Sequence, residues 1–205
     1  CHMEEEEWKS GGYPRLSMLV RGALDRSGVS SHYLKEWMVA RGAEETAIQV
    51  VPTSIDVGYW RRDPPLRARV RHGWGVREDE PVIVYAARLC EQKRPLQLEA
   101  FVREHHLGER VLLLGAVAPD AMRDVLAAAD VAFLPTRWEG IALALFEAMA
   151  MELAVVASDV GGQRELVTPD CGVLLPAPAD ERDVAGWVAA LEPLLRDPVR
   201  RREMG

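Results

Sequence analysis

The stretch Thr136-Arg-Trp-Glu-Gly-Ile-Ala-Leu-Ala-Leu-Phe-Glu-Ala-Met-Ala150 decides how this chain folds. It lies between two short apolar runs, Asp130-Val-Ala-Phe-Leu-Pro135 and Leu153-Ala-Val-Val-Ala157, each suited to a buried strand. Residues 143–151 between them are apolar on nearly every side, which predicts a buried helix. Strand, helix, strand is the repeating unit of a parallel sheet. The loop after the first strand then falls on the carboxyl edge of the sheet, where open α/β sheets bind ligands. Glu139 and Glu147 both lie there, with a helix amino terminus between them. Free backbone N–H groups and a partial positive charge at such a terminus suit a phosphate. Carboxylates suit sugar hydroxyls. The pattern points to a sugar attached to a nucleoside diphosphate.

The same alternation extends in both directions. Strands are predicted over 81–87, 111–115, 131–134, 154–158 and 172–175, and helices over 66–74, 95–104, 120–129, 143–151, 162–167 and 181–195. This is a doubly wound parallel sheet, with loops 87–94, 115–119, 135–142 and 158–162 along one edge. Nearer the amino end, a short helix is predicted over 16–24 and a short strand or connector over 24–30. Ser31 can cap a helix with Leu34, Trp37, Met38 and Ala40 on one face and Gly42 as its stop. A further strand is predicted over 47–51. The domain boundary is placed at 45/46, residues 1–45 being the end of one domain and residues 46–205 a second.

With 205 residues, ordinary apolar content and a formal charge of −7, the chain reads as a globular protein and not a nucleic-acid binder. The Glu4–Glu7 run is expected to be solvated. No apolar run is long enough to span a bilayer. Three scattered cysteines make neither a disulfide framework nor a zinc site, so a reducing cytoplasm and no metal are expected. Neither a G-x-G-x-x-G fingerprint nor a P-loop occurs. His105-His106 diverge at a helix end and are a poor metal pair.

Arg88 and Lys93 lie on the loop after the first main strand. There they either neutralise a diphosphate, one as a fork and one as a point charge, or are solvated. Glu139 has the alternative of a first-turn carboxylate favoured by the helix dipole. Glu147 sits among Leu143, Leu145, Phe146, Ala148 and Met149, so its carboxylate needs a partner, either a ligand hydroxyl or a neighbouring arginine.

The segment 136–167, with Glu139-Gly-Ile-Ala-Leu-Ala-Leu-Phe-Glu147 and Val155-Val-Ala-Ser-Asp-Val-Gly-Gly-Gln-Arg-Glu-Leu-Val167, resembles the donor-binding domain of retaining GT-B glycosyltransferases of family four, the glycosyl transferases group 1. Val29-Ser-Ser31 with Ala47-Ile-Gln-Val-Val-Pro-Thr-Ser-Ile-Asp56 resembles the segment crossing between that fold's two domains. Tyr85-Ala-Ala-Arg88-Leu89 with Lys93 resembles its phosphate-binding loop. The resemblance covers roughly residues 25–205 and implies the Rossmann-like carboxyl-terminal half of a GT-B fold. It implies that Glu147 binds ribose hydroxyls and that Glu139 lies near the donor sugar. Backbone N–H groups in the Gly140, Ile141, Ala142 and Leu143 turn would hold the distal phosphate. Arg88 and Lys93 would stabilise the departing diphosphate, and the backbone at Val117 would touch the base. Glu139 is then not a nucleophile.

The implied donor is a nucleotide sugar and the acceptor a sugar, a lipid-linked molecule or a small molecule, with no cofactor. Any peripheral membrane association would belong to the amino-terminal acceptor half, of which residues 1–45 would be the remnant. Three departures stand out. Ala87 replaces a glycine near the phosphates. Glu152 replaces the glycine after the Glu147 helix and is strained if φ is positive there. One strand–helix unit is missing between Phe101 and His106, which weakens the sheet and one wall of the pocket. Two other readings share the scaffold: a non-catalytic nucleotide-sugar-binding or regulatory module, and a sugar-nucleotide epimerase.

Overall fold

The computed structural model of the chain describes residues 18–104, 106, 108–177 and 184–205. The Glu4–Glu7 run, His105 and the first residues of the helix expected from 181 lie outside the described residues.

The amino-terminal unit is small. Strand β1 (Ser27–Val29) pairs in parallel with β2 (Ile48–Val50), and α1 (His32–Val39) crosses between them. Ser31 caps α1 as the sequence requires, its Oγ accepting from the Leu34 N–H at 3.2 Å. Leu34, Trp37 and Met38 join Met18, Val29 and Ile48 in a core of their own, while Ala40 is exposed. Helix α2 (Pro64–Trp74) follows, capped by Asp63, started by proline and stopped by Gly75 at φ 69°.

The main sheet contains β3 (Ile83–Val84), β4 (Val131–Leu134), β5 (Ala154–Ser158) and β6 (Gly172–Leu175), all parallel and adjacent in chain order. Its helices are α3 (Pro95–Glu104), α4 (Met122–Ala128), α5 (Leu143–Ala150), α6 (Ala185–Arg196) and α7 (Pro198–Met204). The two-residue period of the strands sorts the core into two layers. Ala132, Leu134, Val155 and Ala157 pack with Leu126 of α4 and with Leu145 and Ala148 of α5. Val131, Phe133, Ala154 and Val156 pack with Trp187, Leu191 and Leu194 of α6, where Phe133 and Trp187 meet edge-on at 5.4 Å. Both faces of the sheet are covered, as predicted. Each fully buried leucine contributes roughly 1.5–3 kcal/mol. Among the described residues no helix is long and apolar enough to cross a membrane.

Three predicted elements need correction. Residues 111–115 are not a strand, and Leu112 and Leu113 are 56% and 86% exposed. A strand needs a ladder partner. Among the described residues no strand pairs with β3 on the side away from β4. For the same reason the strand expected over 81–87 shrinks to the two residues that β4 can pair. The helix expected over 162–167 is a 3-10 turn, Gly161–Glu165.

One end of β4 is fixed by an ionic cluster. Asp130 accepts from the Val82 N–H at 2.8 Å through Oδ2, from Arg67 at 2.9 Å through Oδ1, and from Arg71 at 3.4 Å. Arg71 is 1% exposed and also donates to the carbonyls of Ala128, Arg77 and Glu80. This cluster holds α2 against the start of β4.

Candidate functional site

The other end of β4 opens into the stretch that carries Glu139. Pro135 ends the strand and Thr136, wholly buried, turns the chain back. The Thr136 hydroxyl has three acceptors in reach: the Gln92 carbonyl at 3.0 Å, Glu139 Oε1 at 3.0 Å and the Trp138 carbonyl at 3.3 Å. One proton serves one of them at a time. Lys93 donates to the same oxygen of Glu139, and both side chains are largely buried. Glu139 Oε2 has no hydrogen bond among the described residues. Predicted site residues from two loops, distant in sequence, thus meet in one ion pair.

Gln92 holds these loops together. Its carbonyl accepts from the Arg137 N–H at 2.7 Å, and its amide donates to the Trp138 carbonyl at 2.8 Å. Its Oε1 accepts from Arg88 at 3.5 Å, so the exposed Arg88 reaches the cluster through it. Tyr85 adds a further tie, its hydroxyl donating to the Lys93 carbonyl at 2.7 Å, and burial raises its pKa well above the usual range. Sequence reading missed Gln92. Its only signal was its place beside Lys93.

Helix α5 begins on the same edge. Its N-cap is Ala142, which offers no side-chain acceptor, so the first-turn N–H groups are not capped by a side chain. The Gly140 carbonyl accepts from the Gly162 N–H at 2.7 Å, and Gly161, at φ 58°, lies so close that a Cβ there would meet the Glu139 carbonyl oxygen at 1.7 Å. Ile141 is half-buried, Ala142 buried and Leu143 47% exposed. Glu147 lies one turn into α5, half-buried and without a hydrogen-bond partner among the described residues. Burial alone raises its carboxyl pKa. Val117 is half-buried on the connection after residues 111–115, and no hydrogen bond or ion pair joins it to these groups among the described residues.

A cleft of about 610 Å³ opens over this edge, between it and α1. Glu139, Trp138, Asp159 and Arg164 line one side, and His32 and Glu36 the other. Arg164 and Asp159 form an ion pair on the rim, which lowers the Asp159 pKa. Glu165 seals the amino end of α1, accepting from the N–H groups of His32 and Tyr33 at 2.8 Å each. No group of three or more His, Cys, Asp or Glu side chains is placed to hold a metal among the described residues. Chemically, the edge combines an ion-paired carboxylate with a free oxygen, an unpaired carboxylate and an uncapped helix end.

Comparison with known proteins bears on this arrangement. Residues 80–197 match the model of the family described as glycosyl transferases group 1. D-inositol 3-phosphate glycosyltransferase of Xylanimonas cellulosilytica is 29% identical over 197 residues, which cover 80% of this chain and 46% of that protein. Alpha-maltose-1-phosphate synthase of Mycolicibacterium smegmatis is 28% identical over 247 residues, covering 97% of this chain and 62% of that protein. The chain spans about half the length of the curated relatives it matches. Among solved structures, Anabaena HepE in complex with UDP and glucose superposes with a TM-score of 0.82 at 18% identity, over 98% of this chain and 62% of that one. This last likeness speaks to the fold alone.

Proposed function

The chain belongs to the glycosyl transferases group 1 family, and on that premise we propose that it supplies the donor half of a nucleotide-sugar-dependent glycosyltransferase. Residues 46–205 bind the nucleotide sugar, and residues 1–45 belong to the acceptor side. The sugar passes to an acceptor hydroxyl with retention at the anomeric carbon. The bond from that carbon to the diphosphate oxygen breaks and a bond to the acceptor oxygen forms on the same face. The acceptor proton leaves on the departing phosphate.

In this reading Glu147 accepts from ribose hydroxyls, and the N–H groups of the turn entering α5 hold the distal phosphate. Lys93 and Arg88 stabilise charge developing on the diphosphate. Glu139 is held by Lys93 and Thr136, and its free oxygen is offered to the donor sugar. Val117 lines the base. The observation that carries the reading is the buried Lys93–Glu139 pair beside the uncapped end of α5. Relatives point the same way: one is a GDP-mannose-dependent mannosyltransferase and another structure holds UDP-glucose.

Calorimetric titration with UDP, GDP and ADP tests the site. Binding of one of them is expected, and no heat with any would defeat the proposal. A second reading, a regulatory module that binds the nucleotide sugar without turnover, is favoured by the unpaired residues 111–115 and by Ala87. Glu139→Gln in the whole protein separates the two, since only an enzyme loses turnover.

A further inference from the structure

Four buried side-chain polar atoms lack a hydrogen bond among the described residues: Arg71 Nε, Trp138 Nε1, Ser158 Oγ and Gln163 Nε2. Arg71 Nε still faces Glu78 Oε2 at 3.6 Å. The other three lie on the carboxyl edge of the sheet, and Gln163 is wholly buried. An orphaned buried amide is unfavourable, so its position calls for an explanation. Gln163 Oε1 accepts from the Ala142 N–H at 3.5 Å. The amide therefore sits at the amino end of α5 with its oxygen toward the Ala142 N–H, the arrangement that avoids facing two donors.

We infer that Gln163 is a positioning residue for the diphosphate of the donor, an inference that rests on the donor-site reading above. Its Oε1 takes the Ala142 N–H and so aims the next free N–H groups, those of Leu143 and Ala144. Its Nε2 is unpaired and adds a second positive dipole end to that of α5. A fixed dipole buried beside a helix end acts on an anion without touching it. The rest of the turn is built to hold the amide still. The Gln163 N–H donates to the Val160 carbonyl, and the Gln163 carbonyl accepts from the N–H groups of Leu166 and Val167.

The test compares a nucleoside diphosphate with its monophosphate on the whole chain, using whichever of UDP, GDP or ADP binds the wild type. Gln163→Met keeps the bulk and removes both polar groups. The diphosphate should weaken five- to tenfold more than the monophosphate, since a distal-phosphate effect cannot act on a ligand lacking that phosphate. Equal weakening of both ligands, or of neither, would overturn the role of Gln163 and leave the donor site standing. If the wild type binds none of the three diphosphates, the donor-site reading fails and this inference with it. Should Gln163→Met not fold, Gln163→Glu decides by the same ratio: it keeps the acceptor for Ala142 and reverses the field, so an unchanged ratio refutes the inference.

Discussion

The two ends of β4 each carry a largely buried acid paired with basic side chains, and they differ in what is left over. At the amino end both oxygens of Asp130 are occupied, and the terminal nitrogens of Arg71 also donate to the backbone carbonyls of Ala128, Arg77, Glu78 and Glu80. Each partner there belongs to the fold. At the carboxyl end Lys93 and Thr136 crowd onto one oxygen of Glu139 and leave the other toward the cleft. A carboxylate with both oxygens occupied anchors, whereas one with an unspent acceptor can bind. An acid with basic partners is fully spent on the fold at one end of the strand and keeps an acceptor in hand at the other.

The sharpest way to break this contrast is to remove the charge at each end. Asp130→Asn strands the buried guanidinium of Arg71 and weakens the tie to Val82, which should destabilise the protein by about 3–5 kcal/mol in urea unfolding. Glu139→Gln keeps an acceptor for Thr136 and Lys93 but leaves the largely buried Lys93 ammonium without its counter-charge, so about 1–3 kcal/mol is expected, less than for Asp130→Asn. Comparable losses from the two variants would show that both ends are structural.

Close backbone packing at the carboxyl end gives the next effect in size. Gly161→Ala places a methyl group against the Glu139 carbonyl at a left-handed φ of 58°. Left-handed strain and forced separation of the loops together should remove roughly 2–4 kcal/mol. Nucleotide binding should fall in parallel, because Gly140 and the start of α5 shift with the loop. A variant that melts early but binds normally once folded would detach the Gly161 turn from the site.

Much of this was legible in the sequence because it depends on local patterns. Apolar runs fixed β4, β5 and β6, and the surrounding apolar residues marked Glu147 as a carboxylate in a buried helix that needs a partner; in the structure it is half-buried. Ser31 announced the start of its helix. What could not be read depends on long-range pairing. Residues 111–115 have the composition of a strand, and composition does not say whether a neighbour exists. Lys93 was identified by its edge, but its contact with Glu139 across 46 residues is a tertiary fact. Gln92 and Gln163 bear no chemical signature at all; they matter through which carbonyl or N–H their amides reach.

Glu147 sharpens the comparison from the ligand's side, because it has no hydrogen-bond partner among the described residues. Glu147→Gln should weaken nucleotide binding roughly 10- to 100-fold at pH 7, the worth of hydrogen bonds to a charged acceptor. The pH dependence carries a sign. Burial raises this carboxyl pKa in the folded protein from its ordinary 4.5. The protonated acid's contribution to stability is therefore complete below pH 4.5 and is lost as pH rises through the raised value. Glu147→Gln removes that loss, so its melting temperature should exceed the wild type's at pH 7, with the gain disappearing below pH 4.5. Binding runs the opposite way and should weaken on acidification, as the carboxylate is neutralised. A Glu147→Gln variant with unchanged affinity would place the ribose elsewhere.

The smallest effect concerns Glu152, at the end of α5 away from the cleft. The Leu153 N–H donates to the Ala148 carbonyl at 3.1 Å and the Glu152 N–H to the Met149 carbonyl at 3.0 Å, which is a Schellman closure with Glu152 at the left-handed position. Its φ is 60°, as the sequence comparison with glycine at that place led one to expect. A side chain there is unfavourable by about 1–2 kcal/mol relative to glycine. The ion pair with Arg62 at 3.0 Å offsets little, since both side chains are half exposed. Glu152→Gly should therefore stabilise the protein by about 0.5–1 kcal/mol after the added freedom of the unfolded chain is subtracted. Glu152→Ala, which loses the ion pair and keeps the strain, should gain nothing. If alanine matched glycine in thermal unfolding, backbone conformation would not be the cause, and Arg62 would have to be holding the turn in a worse geometry than the helix end prefers.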